Sequence, residues 1–143
     1  MKTIQDELAQ VYAFRELNRI DQLRVCNEAR DQGLTQSEIA RRLSLSQPEV
    51  HRILRKIDSF PELLLRTPRE VILDFHAERL GHEAMMEELL NWSYTYSEHA
   101  EPGNPESELI SGSWESVTDA FLRDLIDVED YERILHTVSG EGR

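Results

Sequence analysis

The chain has 143 residues, of which 39% are hydrophobic and 31% are charged. This length allows one compact domain or two small ones, and the composition is that of a globular protein with a hydrophobic core. The longest apolar run, Leu63–Leu65, is far shorter than the roughly 20 residues of a membrane span, so we expect no membrane association. The N-terminus is acidic and amphipathic rather than signal-like, and Cys26 is the single cysteine, which together predict a cytoplasmic protein.

The net charge of −12 is distributed unevenly along the chain. Residues 1–57 carry ten Lys and Arg against eight Asp and Glu, whereas residues 58–143 carry six against twenty. Between Gly33 and Ile57, five basic residues accompany only two acidic ones. This asymmetry is typical of a nucleic-acid-binding segment attached to an acidic partner-binding region, although charge alone fits a solvated acidic surface equally well.

Two helices are predicted at the start of the chain. Between Thr3 and Leu17 the apolar residues recur mostly at intervals of three and four, which indicates an amphipathic helix. Similar spacing predicts a second helix from Ile20 to Asp31, and Gly33 stands where a left-handed residue ends a helix.

The segment from Leu34 to Lys56 predicts two short helices joined by a tight turn. Thr35 and Glu38 match a capping box at the start of the first helix. Ser46 is a cap residue for the second helix, and Glu49 in its first turn is favoured by the helix dipole. The apolar residues predicted to face the core from these two helices are Ile39, Ala40, Leu43, Val50, Ile53, Leu54 and Ile57.

This pattern resembles the bacterial helix-turn-helix transcriptional regulators, and most of all the DNA-reading heads of SorC-type and ParB-type proteins. The resemblance covers about 24 of the 143 residues. The family's turn glycine is replaced by Ser44, so the turn either holds a left-handed serine at a modest cost or has a different shape. The matching residues are Gln36, Ile39, Ala40, Leu43, Leu45, Ser46, Val50 and Ile53.

The resemblance implies that the second helix, residues 47–57, lies in the major groove of double-stranded DNA. A glutamine there pairs with adenine and an arginine with guanine, while a glutamate accepts from cytosine or orients an arginine. The positions that it implies for base reading are Gln47, Glu49, His51, Arg52 and Arg55. The positions that it implies for phosphate contacts, which set register, are Thr35, Gln36, Arg41, Ser46 and Lys56.

The acidic part of the chain, beyond a junction near Pro61, is also predicted to be helical. Thr67 and Glu70 mark the start of one helix, with the Glu70 side chain bonding back to the cap. The Pro- and Gly-rich stretch Ser93–Ser113 predicts a loop, and the alternating aromatic residues at its start allow one short strand at most. Three more helices are predicted over Glu83–Trp92, Trp114–Leu125 and Glu129–Val138, the last of them capped by Asp127.

These elements predict an all-α fold in two parts. The first part, residues 1–58, is an N-terminal helix followed by the helix-turn-helix DNA-binding domain. The second part, residues 59–143, is an acidic helical region for dimerisation or partner binding.

No catalytic residue, metal site or cofactor site is predicted. The five histidines are scattered, and Cys26 has no neighbour at metal-ligand spacing. His82 and Glu83 begin like a zinc-protease helix, but Met86 stands where the second histidine would be. The sequence has no phosphate-binding glycine loop and no nucleophile motif, so we expect no enzyme.

We therefore expect a sequence-specific regulator of transcription, for example a repressor. We expect it to act as a homodimer because a single head rarely binds tightly and a dimer contacts two half-sites. The helix Thr3–Leu17 and the acidic region are alternative dimer contacts. An alternative function is that of an antitoxin-type protein, which would neutralise a partner protein through its acidic C-terminal half and regulate its own operon.

Overall fold

The computed structural model describes residues 1–140, and most of these residues are helical, which confirms the all-α fold class. The described residues form seven α-helices, a short 3₁₀ turn at Pro61–Leu64 and one two-stranded antiparallel sheet. The helices are α1 (Ile4–Asp31), α2 (Gln36–Leu43), α3 (Gln47–Ser59), α4 (Pro68–His76), α5 (His82–Leu90), α6 (Trp114–Leu122) and α7 (Val128–Ser139). The strands are β1 (Glu98–His99) and β2 (Leu109–Ile110).

The chain divides into two compact units. The short unit is Phe14–Leu65, and the long unit combines residues 1–13 with the chain from Arg66 onward. This division differs from the predicted boundary at residue 58, because the first 13 residues group with the long unit and the 3₁₀ turn with the short one. The Nε of Arg24 on α1 donates to the Leu64 carbonyl at 3.1 Å, which ties the 3₁₀ turn to the short unit.

The first helix, α1, is a single helix of 28 residues rather than the two that were predicted. Asn18 and Arg19, at the expected break, are exposed and neither residue interrupts a helix. The apolar spacing changes there because the side of α1 that is buried changes along its length. Leu17 and Cys26 are both fully buried, but a separation of nine residues places their side chains on opposite sides of the helix. None of the described helices combines the length and hydrophobicity that crossing a membrane requires.

The predicted loop at 93–113 contains two strands, so the expectation of one strand at most was wrong. Glu98 pairs with Ile110 and His99 with Leu109 in an antiparallel ladder. The aromatic residues that suggested a strand, Trp92 to Tyr96, lie outside it. A ladder of two residues per strand is too short to produce an alternating pattern in the sequence.

The core of the long unit is formed by α4, α5, α6, α7 and the residue Ile126 between the last two helices. Asp127 caps α7 as predicted, since its carboxylate accepts from the Asp130 amide at 2.9 Å. Thr67 caps α4 as predicted, accepting from the Glu70 amide at 3.2 Å. The predicted return bond from the Glu70 side chain to the cap is not formed, because the Glu70 carboxylate binds Arg66 at 3.3 Å instead. The buried residues of this core are Val71, Ile72, Met85, Met86, Leu89, Val117, Ala120, Ile126 and Ile134.

A charged cluster centred on Arg66 stands where the second segment of the long unit begins. Its guanidinium binds Asp74 at 2.9 Å, Glu70 at 3.3 Å and Glu88 at 2.9 Å. Glu70 and Asp74 are each only 6% exposed, so the positive charge of Arg66 compensates for the lost hydration of their buried carboxylates. The hydrogen bonds that Arg66 donates to Glu88 and Asp74 raise the pKa of Arg66 above its ordinary value.

Candidate nucleic-acid interface

The short unit is built on a small core between α1, α2 and α3. Cys26 of α1 is fully buried, and burial raises the pKa of its thiol, so the cysteine remains a protonated core residue. Ala40 of α2 is 5% exposed, and its small side chain lets α3 cross closely. The buried members of this core are Cys26, Ile39, Ala40, Val50, Leu54 and Ile57, with Leu43 and Ile53 partly buried around them.

The first short helix, α2, begins with the predicted capping box. The Glu38 amide donates to the Thr35 hydroxyl at 3.2 Å, and the Thr35 amide donates to the Glu38 carboxylate at 3.5 Å. These two bonds satisfy amides that have no partner inside the helix. The side chain of Thr35 is therefore occupied by the cap, although the residue is exposed.

The turn between α2 and α3 is made by Ser44. Its φ of 56° and ψ of 41° are left-handed, so of the two expected outcomes the turn holds a left-handed serine where the family has glycine. The Leu45 amide donates to the Ala40 carbonyl at 2.9 Å and the Ser44 amide to the Arg41 carbonyl at 3.4 Å, which is a Schellman ending. The chain thus leaves α2 and enters α3 within three residues.

The second short helix, α3, also begins with a capping box. The Glu49 amide donates to the Ser46 hydroxyl at 3.2 Å, and the Ser46 amide donates to the Glu49 carboxylate at 3.1 Å. The bonds from the Ser46 amide and hydroxyl hold the pKa of Glu49 below its ordinary value. The Glu49 carboxylate is thus hydrogen-bonded to the start of its own helix. The Ser46 hydroxyl is likewise engaged in the capping bonds.

Polar side chains of α2 and α3 meet on the solvent side. The Gln36 Nε2 lies 3.3 Å from the His51 Nδ1, and the Ser37 hydroxyl donates to the Gln47 Oε1 at 3.2 Å. The interface therefore brings two of the implied base-reading positions, Gln47 and His51, beside the start of α2. These contacts fix the orientation of two side chains that would otherwise move freely in water.

The exposed face of α3 carries two arginines opposite the core. Val50, Leu54 and Ile57 define the buried side, and helical geometry puts Arg52 and Arg55 on the other side, one turn apart. Lys56 is exposed at the flank of the same helix, two turns after Glu49. Arg52 is one of the charges that lower the pKa of Glu49.

The basic side chains of this helix pair have no hydrogen-bond or ion-pair partner among the described residues. All of them are exposed: Arg41, Arg42, Arg52, Arg55 and Lys56. The contrast is with Arg66 and Arg123 of the long unit, which bind carboxylates at 2.9 Å. Five exposed cations that form no ion pair among the described residues make a surface that attracts an anion.

The ten positions implied by the resemblance therefore fall into three groups. The exposed and unpaired cations are Arg41, Arg52, Arg55 and Lys56. The side chains bridging α2 and α3 are Gln36, Gln47 and His51. The capping residues are Thr35, Ser46 and Glu49.

Sequence reasoning omitted two residues of this surface, Arg42 and Ser37. Arg42 belongs with the unpaired cations, and the charge count already included it. The bond from Ser37 to Gln47 depends on how the two helices cross, which no local pattern shows.

No protein-family model, curated protein or solved structure matches this chain.

Proposed function

We propose that this protein is a sequence-specific regulator of transcription that binds double-stranded DNA through a helix-turn-helix formed by α2 and α3. The observation that carries the proposal is the set of five exposed cations without partners on this capped helix pair. The like charges on such a surface repel one another, and binding to phosphate groups relieves this repulsion. We further propose that the protein works in the cytoplasm as a homodimer.

The dimensions of α3 suit the major groove. Its 13 residues give a length of about 20 Å, and the groove, about 12 Å wide, admits one helix. In this arrangement Arg52 and Arg55 project from the side of α3 opposite the core and donate to guanine. Gln47 and His51 lie beside them, at the edge where α2 begins.

The remaining cations fit a phosphate role. Arg41 and Arg42 end α2, and Lys56 lies on the flank of α3, so they border the base-reading side chains. Such contacts set the register of the helix and supply most of the affinity without reading sequence. The capping bonds of Thr35, Ser46 and Glu49 give these residues mainly a positioning role in the proposed complex.

A genome-wide pulldown of DNA bound by the tagged protein tests the regulatory part of this proposal. We expect a few sharp sites with two-fold symmetry, because two copies of the head contact two half-sites roughly 34 Å apart. Arg52→Ala should remove these sites, while Arg133→Ala, an exposed arginine of α7, should keep them. Diffuse binding that is equal for both variants would contradict sequence-specific regulation by α3.

A further inference from the structure

The connection between α5 and α6 forms an ordered hairpin with several carboxylates exposed to solvent. We define the acidic hairpin as residues 95–113, which include β1, β2 and the glutamates Glu98, Glu101, Glu106 and Glu108. All four glutamates are exposed. Nothing proposed for α2 and α3 uses this element.

The acidic hairpin is closed at its base. The Thr95 amide donates to the Ser113 hydroxyl at 2.9 Å, and the Ser113 amide donates to the Thr95 hydroxyl at 2.9 Å. Gly112 lies so close to Thr95 that a Cβ there would be 2.4 Å from the Thr95 carbonyl oxygen. These hydrogen bonds and the close contact at Gly112 therefore hold the connection in one defined conformation.

The tip of the acidic hairpin is held by its own hydrogen bonds. The Ala100 amide donates to the Glu108 carbonyl at 2.7 Å, and the Ser107 hydroxyl donates to the Asn104 carbonyl at 2.7 Å. The Asn104 side chain accepts from the Glu106 amide at 3.0 Å. A binding surface with this internal support loses little conformational entropy when a partner arrives.

Apolar side chains on the acidic hairpin remain in water. Tyr96 is 53% exposed, Leu109 58% and Ile110 50%. In the described chain the sheet has only two strands, so each strand also keeps one edge without a ladder partner. Exposed apolar groups beside free strand edges form a surface to which an extended segment can add.

The charge around the acidic hairpin has one sign. Residues 80–122 contain no Lys or Arg. The carboxylates of Glu98, Glu106 and Glu108 have no hydrogen-bond or ion-pair partner among the described residues. The acidic residues of this stretch are Glu83, Glu87, Glu88, Glu98, Glu101, Glu106, Glu108, Glu115 and Asp119.

We propose that the acidic hairpin is a docking site for a basic, extended segment of a partner protein. Lysines or arginines of the segment bind Glu98, Glu106 and Glu108, and its apolar residues cover Leu109 and Ile110. A second copy of the acidic hairpin and a nucleic acid both carry the wrong charge for this surface. The proposal does not depend on DNA binding by α3.

A synthetic peptide that alternates lysine and valine tests this proposal on the full-length, isotope-labelled protein by NMR titration. We expect amide shift changes at Tyr96, Leu109 and Ile110. The variant E98Q/E106Q/E108Q should weaken binding about tenfold, because three charge pairs are lost at a partly apolar surface. The amide spectrum outside the acidic hairpin should stay unchanged in this variant.

The matched control variant is E83Q/E129Q/E132Q, which removes three exposed charges from helices of the same unit. It should bind the peptide as the unchanged protein does. A peptide that alternates lysine and serine should bind more weakly, since it offers no apolar side chains. Equal weakening in the two triple variants, shift changes confined to other elements, equal binding of the two peptides, or no binding would each overturn the proposal.

Discussion

Ser44 sets the angle between α2 and α3, because its left-handed backbone turns the chain directly after α2. An L-residue with a side chain adopts this conformation at a cost that glycine does not have. The same conformation occurs at Glu78 after α4 and at Asp124 after α6, with φ of 63° and 60°. Three helix ends in the described part of the chain therefore hold a residue other than glycine where glycine is the preferred choice.

Replacing Ser44 by glycine should stabilise the short unit. Relief of the left-handed backbone is expected to add about 0.5 to 1 kcal/mol to the free energy of unfolding. Urea unfolding followed by circular dichroism measures this change. The control is Ser37→Gly, within α2, where the helix loses stability on receiving glycine. Destabilisation by Ser44→Gly would show that the left-handed residue is not under strain.

The cap at the start of α3 should be visible as a pH effect at a single carboxylate. Because the hydrogen bonds from Ser46 lower the folded-state pKa of Glu49, they stabilise the fold above the ordinary glutamate pKa. This contribution is lost as pH falls through the lowered value. Ser46→Ala keeps the amide bond, which is the larger cause, and removes the hydroxyl bond, so it should raise the pKa of Glu49 part of the way towards its ordinary range, as measured by carboxyl-carbon NMR titration. An unchanged titration in Ser46→Ala would contradict the capping bond.

Arg66 is the nearest cation to the two buried carboxylates of α4, and Arg79 also lies 4.0 Å from Asp74. Arg66→Met should lower the free energy of unfolding of the long unit by roughly 2 kcal/mol, because Glu70 and Asp74 stay buried without it. The value is set below that of a fully buried pair, since the Arg66 side chain is 37% exposed. Thermal or urea unfolding tests it, with Arg133→Met as the exposed control. Equal stability of the two variants would mean that water already screens the cluster.

At the scale of elements, local signals were sufficient for the capped helix starts and for the end of α1 before Gly33, and insufficient for the end of α6. Caps at Thr35, Ser46 and Asp127 were predicted correctly because a cap is local. It needs only the side chain of the cap residue and the backbone amide of the third residue after it. The α6 helix ends at Leu122 rather than at Leu125, because Asp124 becomes left-handed and the Leu125 amide bonds to the Ala120 carbonyl. An aspartate carries no such signal in the sequence.

The elements that sequence analysis missed depend on contacts between distant parts of the chain. The two predicted N-terminal helices form one helix because its buried face shifts between Leu17 and Cys26 while the backbone continues. The ladder of β1 and β2 is set by the bonds that close the base and tip of the acidic hairpin. In the candidate site, the cations followed from composition, whereas the bridges from α2 to Gln47 and His51 follow from packing.

Gly112 is the position where the base of the acidic hairpin is most sensitive to volume. Gly112→Ala should open the base, because the new methyl would overlap the backbone of Thr95. Hydrogen exchange at the Ala100 amide should then become faster. Gly81→Ala is the control, since no other part of the chain lies within 4 Å of a Cβ at that position. Unchanged exchange in Gly112→Ala would mean that the base yields without releasing the loop.

At the scale of the whole molecule, charge separates the two proposed binding functions. The net charge of −12 repels nucleic acid at long range, whereas the exposed cations of α2 and α3 attract it locally. A strongly acidic long unit therefore reduces non-specific binding and makes the proposed complex depend on close, matched contacts. The same acidity suits the basic partner that we propose for the acidic hairpin.

Salt dependence should distinguish phosphate contacts from base contacts in the proposed complex. Lys56→Ala should weaken binding to all duplexes alike and reduce the slope of log affinity against log salt by about 1, since one phosphate contact is lost. Anisotropy titrations at several salt concentrations measure this slope. A loss that depends on the duplex sequence would instead place Lys56 among the base-reading residues.

The most direct test of the central claim is selection of bound duplexes from a random library by the purified protein at physiological salt. We predict enrichment of one sequence motif. Arg52→Ala and Arg55→Ala should each lose about 1 to 3 kcal/mol of binding free energy on the selected duplex, since each removes one base contact. Arg133→Ala should bind that duplex normally. Failure to enrich any motif, or equal losses in all three variants, would contradict DNA reading by α3.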